Sequence, residues 1–200
     1  MKDRNHFLGF RPILQTPFFS LEEANHTAIE NASYYRLTGQ DSVITCILDQ
    51  NDQFVMVRQY RPSLEMLTLE TPAGGVDDHE SPLEAAKREI SEETGLSVSI
   101  LPIRGRYSLM MNRTNIRDYL FFCMFPKEIP GFKKEPELEI IRVERKELLL
   151  KSMTGEYMQL AALGLLQVTA GILNVDIWHD SYADIESAFI QCNDVIRNDA

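Results

Sequence analysis

From Asp41 to Leu48 the chain is mostly apolar (DSVITCIL), and from Phe54 to Tyr60 it begins so again (FVMVRQY), with Asp49 to Asp52 between them. Two apolar runs around a short polar turn predict a β-hairpin. Leu67 to Thr71 reads as a further strand. Tyr119 to Phe125 (YLFFCMF) is apolar throughout, as expected of a strand covered on both faces, and Pro126 is expected to close it. Glu139 to Glu144 is one more strand, followed from Arg145 to Lys151 by a short polar segment. Upstream, Phe10, Ile13, Leu14, Phe18, Phe19 and the pair Tyr34 and Tyr35 sit among turn residues, which predicts short strands in a small separate element over residues 1–40. Downstream the period lengthens. Glu156 to Leu173 is long, apolar and helix-like, with Leu160, Leu163 and Leu166 three residues apart, and Tyr182 to Arg197 predicts an amphipathic helix with Ile185, Phe189 and Ile196 on one side.

One further helix carries the chemistry. Ser81, Pro82, Leu83 and Glu84 form a capping box with proline at the first helical position, so a helix should start at Pro82. Gly95 suits the left-handed residue that ends it. Leu83, Ala86 and Ile90 recur as the expected buried stripe. Glu89, Glu92 and Glu93 also lie three and four residues apart, which gathers their carboxylates on one side. Like charges at that spacing cost about 0.2–0.5 kcal/mol, and glutamates in the last turn meet the negative end of the helix dipole. A solvated acidic face is one outcome of such a run. A hard divalent cation with oxygen ligands is the other, and it reverses both penalties.

The spacing around that helix is specific. Gly74, five residues, Glu80, seven residues, Arg88-Glu89-Ile90, one residue, Glu92-Glu93, one residue, Gly95-Leu96: every position resembles the Nudix box, found in hydrolases that split a nucleoside diphosphate linked to another group. The resemblance covers residues 40–170. It implies a Nudix-type α/β/α sandwich with a mixed β-sheet over residues 41–175, while the small N-terminal β element over 1–40 and the extra C-terminal helix over 176–200 are read from their own apolar patterns, the latter beyond the resemblance. It also implies Glu89 and Glu93 as core ligands of Mg2+ (Mn2+ as a substitute), with Glu92 assisting and the backbone carbonyl of Ala73 joining them. Arg88 would orient the cluster, while Glu80 and Gly74 would support the loop and the metal shell. The implied reaction is metal-assisted attack of water on phosphorus.

Val57-Arg58-Gln59-Tyr60-Arg61-Pro62, followed by Leu69-Glu70-Thr71-Pro72-Ala73-Gly74, is similar to the ADP-ribose pyrophosphatase branch of that family. In that branch an N-terminal β element pairs with a second subunit, which implies a homodimer. Arg61, with Arg58 beside it, is implied as a contact to the substrate diphosphate, a role that the planar guanidinium fork suits. The charged stretch from Lys127 to Leu138 resembles the branch's mobile loop, which carries the general base. Glu137 is the first candidate, Glu139 the second and Glu135 the third. Tyr107 to Arg113 lacks the Pro-Gly step usual in the branch, so nucleoside diphosphate sugars are implied as a class and the sugar is left open. Phe18, Tyr34 and Tyr35 are aromatic candidates for base stacking, with core packing the simpler expectation for each. A Nudix hydrolase of triphosphates or dinucleotides, and a non-catalytic Nudix nucleotide sensor, are the competing readings.

Composition narrows the partners. Two hundred residues at 44% hydrophobic content suit one globular domain with an appended element. A net charge of −10 and a pI near 4.9 argue against nucleic acid or a membrane surface, both of which need a basic face. A small-molecule partner is expected instead. Cys46, Cys123 and Cys192 have no CxxC spacing, and Cys46 and Cys123 fall in apolar runs as core residues. The four histidines are scattered without zinc spacing. Residues Met1 to His6 are polar with no apolar segment after them, and no run reaches a membrane-spanning length, so the cytoplasm is the expected compartment.

Overall fold

The computed structural model of the protein describes residues 6–198, and side chains as far as residue 195. Residues 1–5 of the expected N-terminal element and the side chain of Ile196 lie outside the described residues. Three strands, β1 (Phe7–Gln15), β2 (Phe19–His26) and β3 (Ser33–Gly39), pair antiparallel in that order as a sheet of their own. The β1–β2 turn is tied by the Thr16 hydroxyl, which accepts from the Phe18 and Phe19 amides at 3.2 and 3.0 Å. Phe18 itself is 85% exposed, so the core-packing expectation fails there: at the tip of the turn no second layer reaches it. The small sheet meets the rest of the fold at its β3 side, where the Leu37 amide donates to the Arg113 carbonyl (2.7 Å) and the Tyr34 hydroxyl to the Asn112 carbonyl.

The second sheet contains β4 (Ser42–Leu48), β5 (Gln53–Arg61), β6 (Met66–Glu70), β7 (Ala73–Gly75), β8 (Leu96–Tyr107), β9 (Asp118–Glu128) and β10 (Glu139–Glu144). Its order is β10-β5-β4-β9-β8, with β6 on β5 and β7 on β4. The β4–β9 pair is parallel and the others antiparallel, so the sheet is mixed. β4 shows why the apolar run is continuous. Its Val43 and Ile47 join Ala85, Ala86 and Ile90 of α1 (Pro82–Thr94) on one face. Ile44, Cys46 and Leu48 face the opposite cluster, built with α2 (Arg145–Thr154), α3 (Leu160–Leu173) and α4 (Tyr182–Asn198). The result is an α/β/α sandwich, with Cys46 and Cys123 fully buried in opposite layers.

Several elements depart from expectation for identifiable reasons. β8 has no strand signal, because register shifts at Ser97–Ser99 and Ile103–Tyr107 break the two-residue alternation. Pro126 does not close β9: Phe125 takes a positive φ of 57° at the bulge, and the strand continues to Glu128. Arg145 to Lys151 is helical, since Leu148 is buried and Arg145 reaches under the chain to Asp52 and the carbonyls of Ile177 and Asp180. α3 starts at Leu160, and its buried stripe is Ala162, Leu165, Leu166, Thr169 and Leu173, leaving Leu160 exposed. In α1, Ala85 joins Ala86 and Ile90 in the core, while Leu83 in the first turn is 39% exposed. α4 packs through Ile185 and Phe189 into the same core as α3.

A fork in the sheet prepares the site. β4 and β5 pair only at Ile47–Val55 and Leu48–Phe54. Beyond that point they part, β6 follows β5, and β7 takes the freed edge of β4. Pro72 bridges the gap, its carbonyl accepting both the amide and the hydroxyl of buried Thr45 (3.0 and 2.8 Å). Glu70, Ala73, Gly74 and Gly75 are thereby set at the mouth of the fork, beneath α1.

Candidate active site

α1 is built as its sequence dictates. The Ser81 hydroxyl accepts from the Glu84 amide (3.3 Å), the Glu84 carboxylate accepts from the Ser81 amide (2.8 Å), and Gly95 closes the helix at φ 68°. That fixes the rotation of the helix, and so the direction of its last two turns. Arg88 occupies the centre. Its Nε and Nη2 donate to the two oxygens of Glu80 at 3.0 Å each, and Nη2 also donates to the Gly75 carbonyl at 2.9 Å. Nη1 donates to Glu89 Oε1 at 2.7 Å and to Glu92 Oε2 at 3.2 Å. One guanidinium therefore ties the Gly74–Gly75 strand, the following loop and two helix glutamates together. The Glu80 contact raises the Arg88 pKa further above its ordinary range, and the same pair holds Glu80 below the usual carboxylate value.

Gly74 is needed for lack of room: a Cβ there would overlap the carboxylate of Glu89. Glu93 turns inward and accepts the Ala73 amide at 3.2 Å. Burial first, and then the charge of Glu89, push its pKa up to about 8. Burial also raises Glu89, against the pull of Arg88. Glu92 stays largely in solvent on the Arg88 side. Ala73, Glu89 and Glu93 thus meet at the fork, with Glu92 beside Glu89 on the shared Arg88 Nη1 and largely in solvent. Among the described residues no three His, Cys, Asp or Glu side chains stand together as a ready-made metal cluster. Arg88 takes an oxygen of Glu89 and of Glu92, and Glu93 accepts the Ala73 amide. The donor set still fits a hard cation, since desolvated, like-charged carboxylates are what such an ion stabilises.

Arg61 and Arg58 point to different partners. Arg61 forms a two-pronged pair with Glu70 (Nε to Oε1 2.7 Å), which Thr68 also contacts at 2.6 Å. Burial works to raise Glu70, but these hydrogen bonds outweigh it and leave the carboxyl lowered. Glu70 stands near enough to Glu93 to raise it in turn. Sequence reasoning gives Glu70, within Leu69–Gly74, no part in the site. The signal that finds it is strand alternation: Thr68 and Glu70 pair with Gln59 and Val57, on Arg61's face of β5. Arg58 is directly opposite Glu139 in the β5–β10 register and donates to its carboxylate (Nε at 3.0 Å). The second base candidate is therefore a strand residue tethered to a proposed substrate arginine. Glu137 and Glu135 lie in the loop before β10 and are exposed. The root of that loop is fastened to the end of α1, where the Ile129 amide donates to the Gly95 carbonyl (2.8 Å) and the Phe132 ring fills the space a Gly95 side chain would need.

A capped helix whose glutamates and central arginine close over a Gly-Gly strand defines a class. The chain belongs to the Nudix family, whose NUDIX domain matches residues 38–162. Similarity to individual proteins is more local. An ADP-sugar pyrophosphatase from Mus musculus is 51% identical over 41 residues, 20% of this chain and 19% of that protein. A methanol dehydrogenase activator from Bacillus methanolicus is 41% identical over 54 residues, 27% of this chain and 29% of that protein. The chain thus matches under a third of the length of either relative. A solved structure described as an ADP compounds hydrolase superposes with a TM-score of 0.69 over 84% of this chain and 93% of its own, at 18% identity, a likeness of fold. Among the described residues no helix is long and apolar enough to cross a membrane.

Proposed function

We propose that this protein hydrolyses the pyrophosphate bond of a nucleoside diphosphate sugar, ADP-ribose or a close relative, to a nucleoside monophosphate and a sugar phosphate. The observation that carries the proposal is the Arg88 clamp, which holds Glu80, Glu89, Glu92 and the Gly75 carbonyl beside half-buried Glu93. The local match to an ADP-sugar pyrophosphatase supports the substrate class. Glu89, Glu93 and the Ala73 carbonyl would hold Mg2+ or Mn2+, with Glu92 completing the shell on release from Arg88. Such ions supply charge neutralisation at a diphosphate and activation of water at phosphorus.

The remaining roles belong to the chain's own groups. Arg61 exchanges one prong of its Glu70 pair for a phosphate oxygen, and its planar fork holds that oxygen in line. Glu137 accepts the proton of the attacking water as its loop closes over the bound diphosphate. Glu137 is favoured over Glu139 because Glu139 is bonded to Arg58 on a rigid strand pair. The protein works in the cytoplasm as a homodimer joined through its N-terminal sheet. A hydrolysis panel with products identified tests the reading. ADP-ribose, other nucleoside diphosphate sugars, a dinucleotide and triphosphates are each assayed with Mg2+ and with chelator. Metal-dependent cleavage of one diphosphate sugar is expected. Cleavage confined to triphosphates, or binding without cleavage, would overturn it. Within that assay Glu137→Gln should lower kcat by at least about tenfold; the same loss from Glu139→Gln alone would move the base to the strand.

A further inference from the structure

The arginines of this acidic chain divide unevenly. Arg11, Arg36, Arg58, Arg61, Arg88, Arg142 and Arg145 each pair with a carboxylate. Among the residues whose side chains are described, the arginines without an ion pair are Arg104, Arg106, Arg113 and Arg117, and all four fall in one stretch, Arg104 to Arg117. That stretch (RGRYSLMMNRTNIR) contains no acidic residue, in a protein whose net charge is −10. Arg113 rests its guanidinium on the Tyr34 ring, 5.1 Å from the centroid. Arg106 and Arg117 instead line a recess of about 270 Å³ together with Ser108, Thr114 and Asn115. The Ser108 hydroxyl is buried there without a hydrogen-bond partner.

The recess is fixed in place by backbone contacts. The Arg117 amide donates to Asp41 Oδ1 (2.9 Å), and its carbonyl accepts from the Ser42 amide (2.8 Å). Asp41 thus accepts from the main chain of Arg117, adjacent Asp118 accepts from the Ser42 hydroxyl and the Leu109 amide, and the Arg117 guanidinium forms no ion pair with either. Ser42 pairs on one side with Asp118 and on the other with Gly75. The recess therefore opens at the same end of the sheet as the Gly74–Gly75 strand, two strand spacings or about 10 Å away.

We propose that this recess is a phosphate subsite in which Arg106 and Arg117 clasp a phosphate monoester carried by the same molecule whose diphosphate lies at α1. It rests on the proposed hydrolase reading and narrows it, to nucleoside diphosphate derivatives bearing a further phosphate on the nucleoside side. Two unpaired guanidinium forks suit a dianionic phosphate, whose oxygens accept several hydrogen bonds at once. Among the described side chains, the arginines outside this stretch are each paired with a carboxylate, whereas Arg106 and Arg117 keep their charge available to an outside partner.

Binding measured by calorimetry in chelator tests the subsite without turnover. The probes are ADP-ribose, ADP-ribose bearing a 2′-phosphate on its adenosine, and inorganic phosphate, each on the wild type, Arg106→Ala/Arg117→Ala and Arg106→Lys/Arg117→Lys. The phosphorylated probe is expected to bind the wild type at least about tenfold tighter than ADP-ribose. The alanine variant should lose that advantage, with affinity for ADP-ribose and melting temperature unchanged, and the lysine variant should recover part of it. Arginine-dependent binding of inorganic phosphate without preference for the phosphorylated nucleotide would keep the phosphate site and make its ligand a free ion, overturning the nucleotide assignment. Equal binding of both nucleotides by all three proteins, with no arginine-dependent phosphate binding, would overturn the proposal altogether. If the phosphorylated nucleotide binds as expected but nothing is cleaved when Mg2+ is added, hydrolysis fails while the subsite stands.

Discussion

Replacing Glu93 by glutamine should make the metal-free protein more stable while removing its activity. The wild-type carboxyl titrates at about 8 in the fold, against 4.5 for the unperturbed group, because burial and Glu89 both disfavour its charge. A folded pKa above the unfolded one means that the native chain holds an extra proton between those two values. Unfolding free energy therefore falls as pH rises through that window, is unaffected below it, and is fully reduced above it. At 1.36 kcal/mol per pH unit, the penalty accumulated by pH 7 is at most roughly 3–4 kcal/mol. Glutamine carries no charge, and its amide oxygen can still accept the Ala73 amide, which Glu93 meets at 3.2 Å. Urea denaturation in chelator from pH 4.5 to 8.5 measures the gap directly. We expect none at the acid end and about 1–3 kcal/mol in favour of the variant above pH 7. Added Mg2+ should raise the melting temperature of the wild type alone. A gap that is constant with pH, or a variant less stable than wild type at pH 8, would refute the reasoning.

Gly74→Ala places a methyl group on the Glu89 carboxylate, which must rotate away from Arg88. The expected cost is about 1–3 kcal/mol in denaturation, with kcat lowered more than KM is raised. Wild-type kinetics would show that the carboxylate has other room. Phe189→Ala removes a buried ring that packs edge-on against Phe122 and Phe125, with centroids 6.0 and 5.8 Å apart. A loss of about 3–5 kcal/mol is expected, and a loss under about 1 kcal/mol would mean that α4 is dispensable to the core.

The elements that could be read in advance are those whose signal is local. The capping box, Gly95 and the glutamate spacing of α1 depend on neighbours within a turn or two, and the structure builds them as expected. β4 and β9 declare themselves because burial on both faces leaves little room for polar residues. β8 and α2 were not legible, for opposite reasons. β8 is interrupted by bulges that only its partner β9 makes tolerable. α2 is polar in sequence, and its anchor is Arg145, whose carboxylate and carbonyl partners come from distant segments.

The same division runs through the site. Sequence alone determined which groups the helix presents, since their spacing follows from 3.6 residues per turn. Tertiary structure decided what those groups do at rest. It paired Arg61 with Glu70 and Arg58 with Glu139, because β5 lies between β6 and β10. It turned Glu93 under the fork to the Ala73 amide, and it left Arg106 and Arg117 without a carboxylate beside a recess. Each of these depends on strands distant in sequence being brought within hydrogen-bonding reach, and on the burial that follows. Neither quantity is a property of any stretch of the chain by itself.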